Sequence, residues 1–275
     1  MRALLASPLG FLIGLALGAL GGGGSVIAVP VLVYVAGQDP QAATATSLAL
    51  VTLIASVGIV PHWRNGHVRA ALGVAFGAAG LAGNLVGSNL NSRADPDVLL
   101  LAFAGVMLAA AAAMWRSLRK PPATAEVALV EATGVSEVSD HDTPPASVPW
   151  SPGRVASVLA AGTGVGLLTG CFGVGGGFVI VPALVLVLGV SMPDAVGTSL
   201  LIIVINSGVA LLARAGDGGV DLRIALPFAI TALAGVTVGA QWAQRRDPSS
   251  LQRAFVVLLV AVALYTAVRS IIALG

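Results

Sequence analysis

The chain is short of charge. Of its 275 residues, 14 are Lys or Arg and 12 are Asp or Glu, together 9%, against about 25% in an ordinary soluble domain. So few ionisable groups cannot cover a surface that faces water on every side. The formal net charge is only +2, which leaves no basic surface for nucleic acid. One cysteine, Cys171, excludes an intrachain disulfide and any cysteine-only metal site. No Asp, Glu, Lys or Arg stands at the centre of a long apolar stretch, so the stretches lack the buried acid that a cation site would use.

What the chain has instead is apolar length. Hydrophobic residues make up 57% of it and recur in runs along the whole sequence. Many of these runs reach the roughly 20 residues that cross a bilayer. The expected class is an all-α integral membrane protein. The opening "MRALLASPLGFLIGLALGALG" has the look of a secretory leader, with Arg2 before an apolar stretch. Its recurrence further on argues that it is a retained membrane segment.

That recurrence is the main organising feature. "GGGGSVIAVP" at 21–30 aligns with "GVGGGFVIVP" at 173–182, an offset of 152. The same offset aligns "ATSL" (45–48) with "GTSL" (197–200), "NGHV" (65–68) with "DGGV" (217–220) and "DP" (95–96) with "DP" (247–248). It also carries Gly10, Gly14 and Gly18 onto Gly162, Gly166 and Gly170. One gap-free register across loops and helices alike reads as an internal duplication. Two tandem membrane repeats, 1–120 and 154–275, are therefore expected around a Pro-rich, acidic, flexible linker at 121–153.

Each repeat reads as four segments, about eight transmembrane segments in all: 3–36, 41–61, 70–90 and 97–115, then 155–188, 193–213, 222–242 and 249–272. If every segment crosses and the N-terminus is cytoplasmic, basic residues divide ten inside to four outside. If the first segment of each repeat instead returns to its own side, the repeats become inverted and the best division is nine to five. The charges thus favour parallel repeats with both termini cytoplasmic, in the cell membrane.

The first segment of each repeat is too long for one straight span and is interrupted by glycine. Gly21, Gly22, Gly23 and Gly24 precede Ser25, and Gly173, Gly175, Gly176 and Gly177 form the second cluster. Glycine adopts backbone angles closed to other residues, so such a run can unwind a helix. A helix broken inside the membrane is a recurring device for substrate sites, and its second half presents unpaired NH groups to an anion. The alternative is packing, since Gly10, Gly14 and Gly18, and likewise Gly73/Gly77, Gly83/Gly87 and Gly235/Gly239, have the four-residue spacing of close helix contacts.

Thr46 and Ser47 open the second segment, after Thr44, and Thr198 and Ser199 repeat them; as hydroxyls they can cap a helix or donate to an oxyanion. Asn206 lies mid-span, where an amide needs a neighbouring helix or a substrate. These glycines, hydroxyls and Asn206 are the expected substrate-binding residues. Asn84, Ser88, Asn89 and Gln241 lie nearer span ends and are weaker candidates. Asp39 and Asp194 are expected as loop or cap residues with a possible proton-accepting role. His62, Arg64 and His67 are expected in a connecting loop at the membrane interface. No metal site, cofactor or catalytic cluster is read from the sequence. Cys171 reads as a small buried hydrophobe.

The duplicated glycine motif followed by Thr-Ser-Leu resembles the TauE/SafE family of membrane permeases. The motifs stand here as "GGGGSVIAVP…ATATSL" and "GVGGGFVIVP…AVGTSL", with "GCF" before the second copy, and the resemblance covers roughly 1–120 and 150–275. It implies about eight transmembrane helices and transport of sulfite, an organosulfonate or another small anion, with protons as coupling ion, and no enzymatic activity. The linker is longer than in a compact member, and Ala45 stands where a glycine is usual before "TSL". The competing readings are transport of another organic anion, sulfur compound or metal ion, and a membrane assembly factor without transport.

Overall fold

The computed structural model describes residues 2–22, 28, 31–32, 37, 40–91, 96–119, 152–172, 177–213 and 222–274. Among the described residues there are nine helices and no strand: α1 (Arg2–Leu20), α2 (Pro40–Arg64), α3 (Ala70–Asn91), α4 (Pro96–Arg119), α5 (Pro152–Phe172), α6 (Gly177–Leu186), α7 (Met192–Ala213), α8 (Leu222–Gln244) and α9 (Pro248–Leu274). Six of them carry apolar stretches long enough to cross a membrane, in α2, α3, α5, α7, α8 and α9. Outward-facing apolar side chains such as Leu85, Leu212, Leu226 and Val257, each more than 60% exposed, fit a lipid surround. The chain is an integral membrane protein.

Local chemistry sets the helix ends. Pro40, Pro96, Pro152 and Pro248 each stand at a first helical position, where the missing NH is no loss. The Asp247 carbonyl accepts the first bonds of α9, from Ser250 N at 2.9 Å and Leu251 N at 3.2 Å. The repeated Asp-Pro pair is thus a helix start. At the other extreme, Gly21 closes α1 with φ 71°, a left-handed conformation that β-carbon residues resist, while its NH still bonds the Leu17 carbonyl at 2.9 Å.

The spaced glycines hold the helices together. A β-carbon on Gly14 or Gly18 would fall on the carbonyls of Ala232 and Val236 in α8, and one on Gly235 or Gly239 would fall on those of Phe11 and Leu15 in α1. Positions 152 away do the same between α3 and α5: Gly166 and Gly170 meet the carbonyls of Gly80 and Asn84, and Gly83 and Gly87 meet those of Thr163 and Leu167. Packing, not interruption, is what these glycines serve. The first helix of each half therefore lies on the third helix of the other half, and the halves interlock.

The same contacts fix the helix directions. Gly10, Gly14 and Gly18 step along α1 as Phe228, Ala232 and Val236 step along α8, so the two are parallel; α3 and α5 are parallel by the same test. Gly73 meets Leu201 and Gly77 meets Ile205, so α3 is parallel to α7. His62 lies against Gly197 and Gly58 against Leu200, so α2 and α7 are antiparallel. α2 runs with α8, since Gly58 meets Val236 and the His62 ring meets Gly18, which packs at Val236 and Ala240. Four residues between α3 and α4, and three between α8 and α9, cannot cross a bilayer, so each of these helices starts where its predecessor ends.

Thus α1, α2, α4 and α8 run one way, and α3, α5, α7 and α9 run the other. Every pair related by the offset of 152 is antiparallel. This corrects the parallel arrangement that the charge division favoured. It also corrects the single crossing expected for 155–188. Because α5 and α7 point the same way, the chain must return between them, and it does so through α6 and the turn at Val187–Ser191. Phe178 at the start of α6 packs edge-to-face on Phe103 of α4, with ring centroids 4.8 Å apart.

Candidate functional site

The two glycine interruptions meet. A β-carbon on Gly22 would fall on the Gly177 carbonyl, so the backbones touch where the end of α1 passes the start of α6. One on Gly21 would fall on the Ser199 hydroxyl, with Val181 and the Val196 carbonyl 3.3 Å away. Ser199 is fully buried and donates to the Val196 carbonyl at 2.8 Å. Gly21, Gly22, Gly177 and Ser199, drawn from both halves, therefore form one buried cluster. Gly23, Gly24, Ser25, Gly173, Gly175, Gly176 and Asp39 lie outside the described residues.

The other expected positions divide. Thr198, also fully buried, accepts from the Arg69 NH at 3.1 Å and is a brace for the α2–α3 turn. Thr46 and Ser47 are buried near the start of α2, 15 and more residues before His62, or roughly 20 Å along the helix. Since α2 and α7 are antiparallel and His62 lies beside Gly197, the two Thr-Ser pairs sit towards opposite ends of the helix pair. The structure does not bring them together. Asn206 faces Gly77 and Gly80 of α3, midway between those ends, and its Oδ1 is buried without a hydrogen-bond partner.

Hydroxyls in apolar helices usually bond the carbonyl three or four residues back. Thr52, Ser56, Ser157, Thr169 and Thr266 do so here. Thr46 does not: its Oγ1 is buried and unpartnered.

Three groups that the sequence assigned to a loop or cap prove to be structural neighbours of the cluster. His62 is in the last turn of α2, not in a loop, and is only 2% exposed. Its Nε2 lies 3.2 Å from the Gly18 carbonyl, one turn before Gly21. Asp194 stands in the first turn of α7. Arg69 donates to Asp194 Oδ2 from Nε at 3.0 Å and from Nη2 at 2.8 Å, and His67 Nδ1 lies 3.0 Å from Oδ1. A β-carbon on Gly197 would fall on the His67 carbonyl, so the turn after α2 is clamped tightly onto α7. The sequence signal for His62 was there in the uninterrupted apolar run up to Pro61. Its burial comes from Gly18 and Gly197, which are remote in sequence.

Comparison with known proteins adds the following. Residues 6–266 match the sulfite exporter TauE/SafE family. A probable membrane transporter protein of Xylella fastidiosa (strain 9a5c) is 32% identical over 268 residues, covering 95% of this chain and 93% of the relative. The probable membrane transporter protein YdhB of Bacillus subtilis (strain 168) is 25% identical over 235 residues, covering 84% and 86%. No solved structure matches.

Proposed function

Because the chain belongs to the sulfite exporter TauE/SafE family, we propose that it is a secondary transporter that exports sulfite or an organosulfonate across the cytoplasmic membrane. The observation that carries this reading is the meeting of Gly22 with Gly177 beside the buried Ser199 hydroxyl. Backbone bared by a helix break is tolerable inside a membrane only where protein covers it or a cavity serves it. Here two breaks, one from each half, share a single place.

The wider architecture supports the same reading. Antiparallel equivalents describe two inverted repeats of four long helices each, with α6 a shorter returning piece, and alternating access by rocking one repeat against the other is what such a pair allows. With eight crossing helices, a small anion bound at the break is exposed to one side at a time. An inside-negative potential drives it outward, at about 2.3 kcal/mol per charge per 100 mV. Thr46 and Asn206, each with a buried unpartnered oxygen, are further contacts on its route.

The test is efflux of radiolabelled sulfite from proteoliposomes under an imposed potential, with isethionate and sulfate as competitors. Wild-type protein is expected to release sulfite, with isethionate competing and sulfate not. Gly22→Leu, which drives a side chain into the Gly177 carbonyl, is expected to reach the membrane and export nothing. Export that survives this change removes the glycine cluster from the site. Release of neither sulfite nor isethionate by the wild type removes the substrate assignment.

A further inference from the structure

His62 is an ionisable side chain buried in a membrane helix, and the export cycle just described gives it no task. Its ring reaches the Gly18 carbonyl. A carbonyl only accepts, so Nε2 carries the hydrogen, and in the neutral ring Nδ1 is then a bare lone pair. That nitrogen is buried and has no hydrogen-bond partner.

Among the described residues, the surroundings offer nothing to balance a charge there. α1 contributes the Gly18 carbonyl, and α8 approaches through Val236. On α2 itself Arg64 is exposed. The following turn brings His67 and Arg69, and α7 brings Gly197 and, one turn earlier, Asp194. Asp194 is the acid in this neighbourhood among the described residues, and both of its oxygens are already engaged by Arg69 and His67. A proton on His62 would therefore be an uncompensated buried cation, which is strongly unfavourable. An anion brought against the neutral ring would meet a lone pair, which is also unfavourable.

We propose that His62 takes up one proton together with the transported anion, its Nδ1–H then being the donor that holds the anion beside the glycine cluster. The inference rests on the anion-transport reading above. The proton comes from water and returns to water when the anion leaves, with no other bond made or broken. Each partner removes the obstacle to the other, so the coupling is reciprocal: the anion raises the proton affinity of His62, and a lower pH raises the affinity for the anion. At the position 152 residues on, the sequence has Arg214, a permanent cation, so the titratable group belongs to one half alone.

The test counts protons. Sulfite is titrated calorimetrically into purified wild-type protein and His62→Gln, in Tris and in imidazole near neutral pH, two buffers of different ionisation enthalpy and neither a sulfonate. Gln keeps an NH for the Gly18 carbonyl and cannot take a proton. Sulfite's own titration is common to both proteins and cancels. Wild type is expected to take up about one more proton per sulfite than His62→Gln. Equal proton counts overturn the assignment of His62 while leaving the anion site intact. Binding of neither sulfite nor isethionate by the wild type sinks the anion reading, and this inference with it. Should His62→Gln fail to fold, the wild type alone decides: isethionate, which does not titrate near neutrality, should bind more tightly as pH falls through the imidazole range, and a flat profile overturns the proposal.

Discussion

Thr46 poses the sharpest question at the scale of single residues. A buried hydroxyl without a partner is destabilising, and replacing it by a methyl of the same shape is neutral or favourable to folding. Thr46→Val should therefore leave the unfolding temperature unchanged or raised. If the hydroxyl contacts the anion in transit, the same change raises the KM for export about tenfold, as expected for the loss of one hydrogen bond to a charged group. An unchanged KM would make Thr46 a packing residue. The glycines separate in a similar way. Gly105 has open space where a β-carbon would stand, so Gly105→Ala should raise stability by about 0.5–1 kcal/mol through helix propensity alone. Gly166→Ala would place a methyl on the Gly80 carbonyl and push α3 from α5. It should lower the unfolding temperature of the purified protein, and a neutral outcome would mean that this helix pair is looser than its contacts imply.

Among the elements, the turn joining α2 to α3 stands apart because the residues of its clamp are not repeated in the sequence. Asp194, His67 and Arg69 correspond, 152 residues away, to Ala42, Gly219 and Asp221, which could not build the same ion pair. One end of the α2–α7 pair is thus latched by an ion pair that the equivalent positions of the other end cannot repeat. The Asp194 side chain is 14% exposed and that of Arg69 36%, so solvent screens the pair partly and Asp194→Asn should cost only about 1 kcal/mol. Its larger effect should be conformational. With Cys171→Ala as background, a cysteine in place of the fully buried Ala195 should react faster with a membrane-impermeant thiol reagent once Asp194 is Asn. Equal rates in both backgrounds would show that the latch does not hold this end shut. The latch itself was out of reach of the sequence, because it joins residues 125 apart through a turn that looks like any short connection. Helix extents were within reach: 41–61 became Pro40–Arg64 and 222–242 became Leu222–Gln244, since long apolar runs between prolines and polar turns mark themselves. The glycine interruption after Leu20 was legible for the same reason. The meeting of Gly22 with Gly177 was only half legible, because a repeat announces two equivalent breaks and says nothing of their distance.

For the whole molecule, the register of 152 is blind to direction, since a duplicated sequence reads the same whether its copies insert alike or inverted. Interlocked glycines decide the matter, and they change what the charges say about the membrane. With the observed directions, the end that carries the α2–α3 turn also carries the end of α4, the start of α5 and the α8–α9 turn. Among the described residues it holds Arg64, Arg69, Arg116, Arg119, Arg154, Arg245, Arg246 and Arg253, eight in all, against Arg2, Arg223 and Arg269 at the other end. Trp63, Trp115 and Trp242 gather at the basic end too, with Arg119 over Trp115 at 5.7 Å and Arg246 over Trp242 at 5.1 Å. Amphipathic rings stacked under guanidinium groups are at home at a headgroup boundary. Applied to this bundle, the bias of basic residues towards the cytoplasm predicts that the Asp194 latch lies inside and residues 2 and 274 outside. The orientation can be read with single cysteines in the Cys171→Ala background, labelled in intact cells by a membrane-impermeant reagent. Cysteines at Gly153, where a β-carbon meets open space, and Asn65 should label only after the cells are opened, and one at Gly275 should label from outside. Labelling of Gly275 from inside, with Gly153 on the same side, would require an odd number of further crossings between α5 and α9, and the inverted pairing would fall with that result.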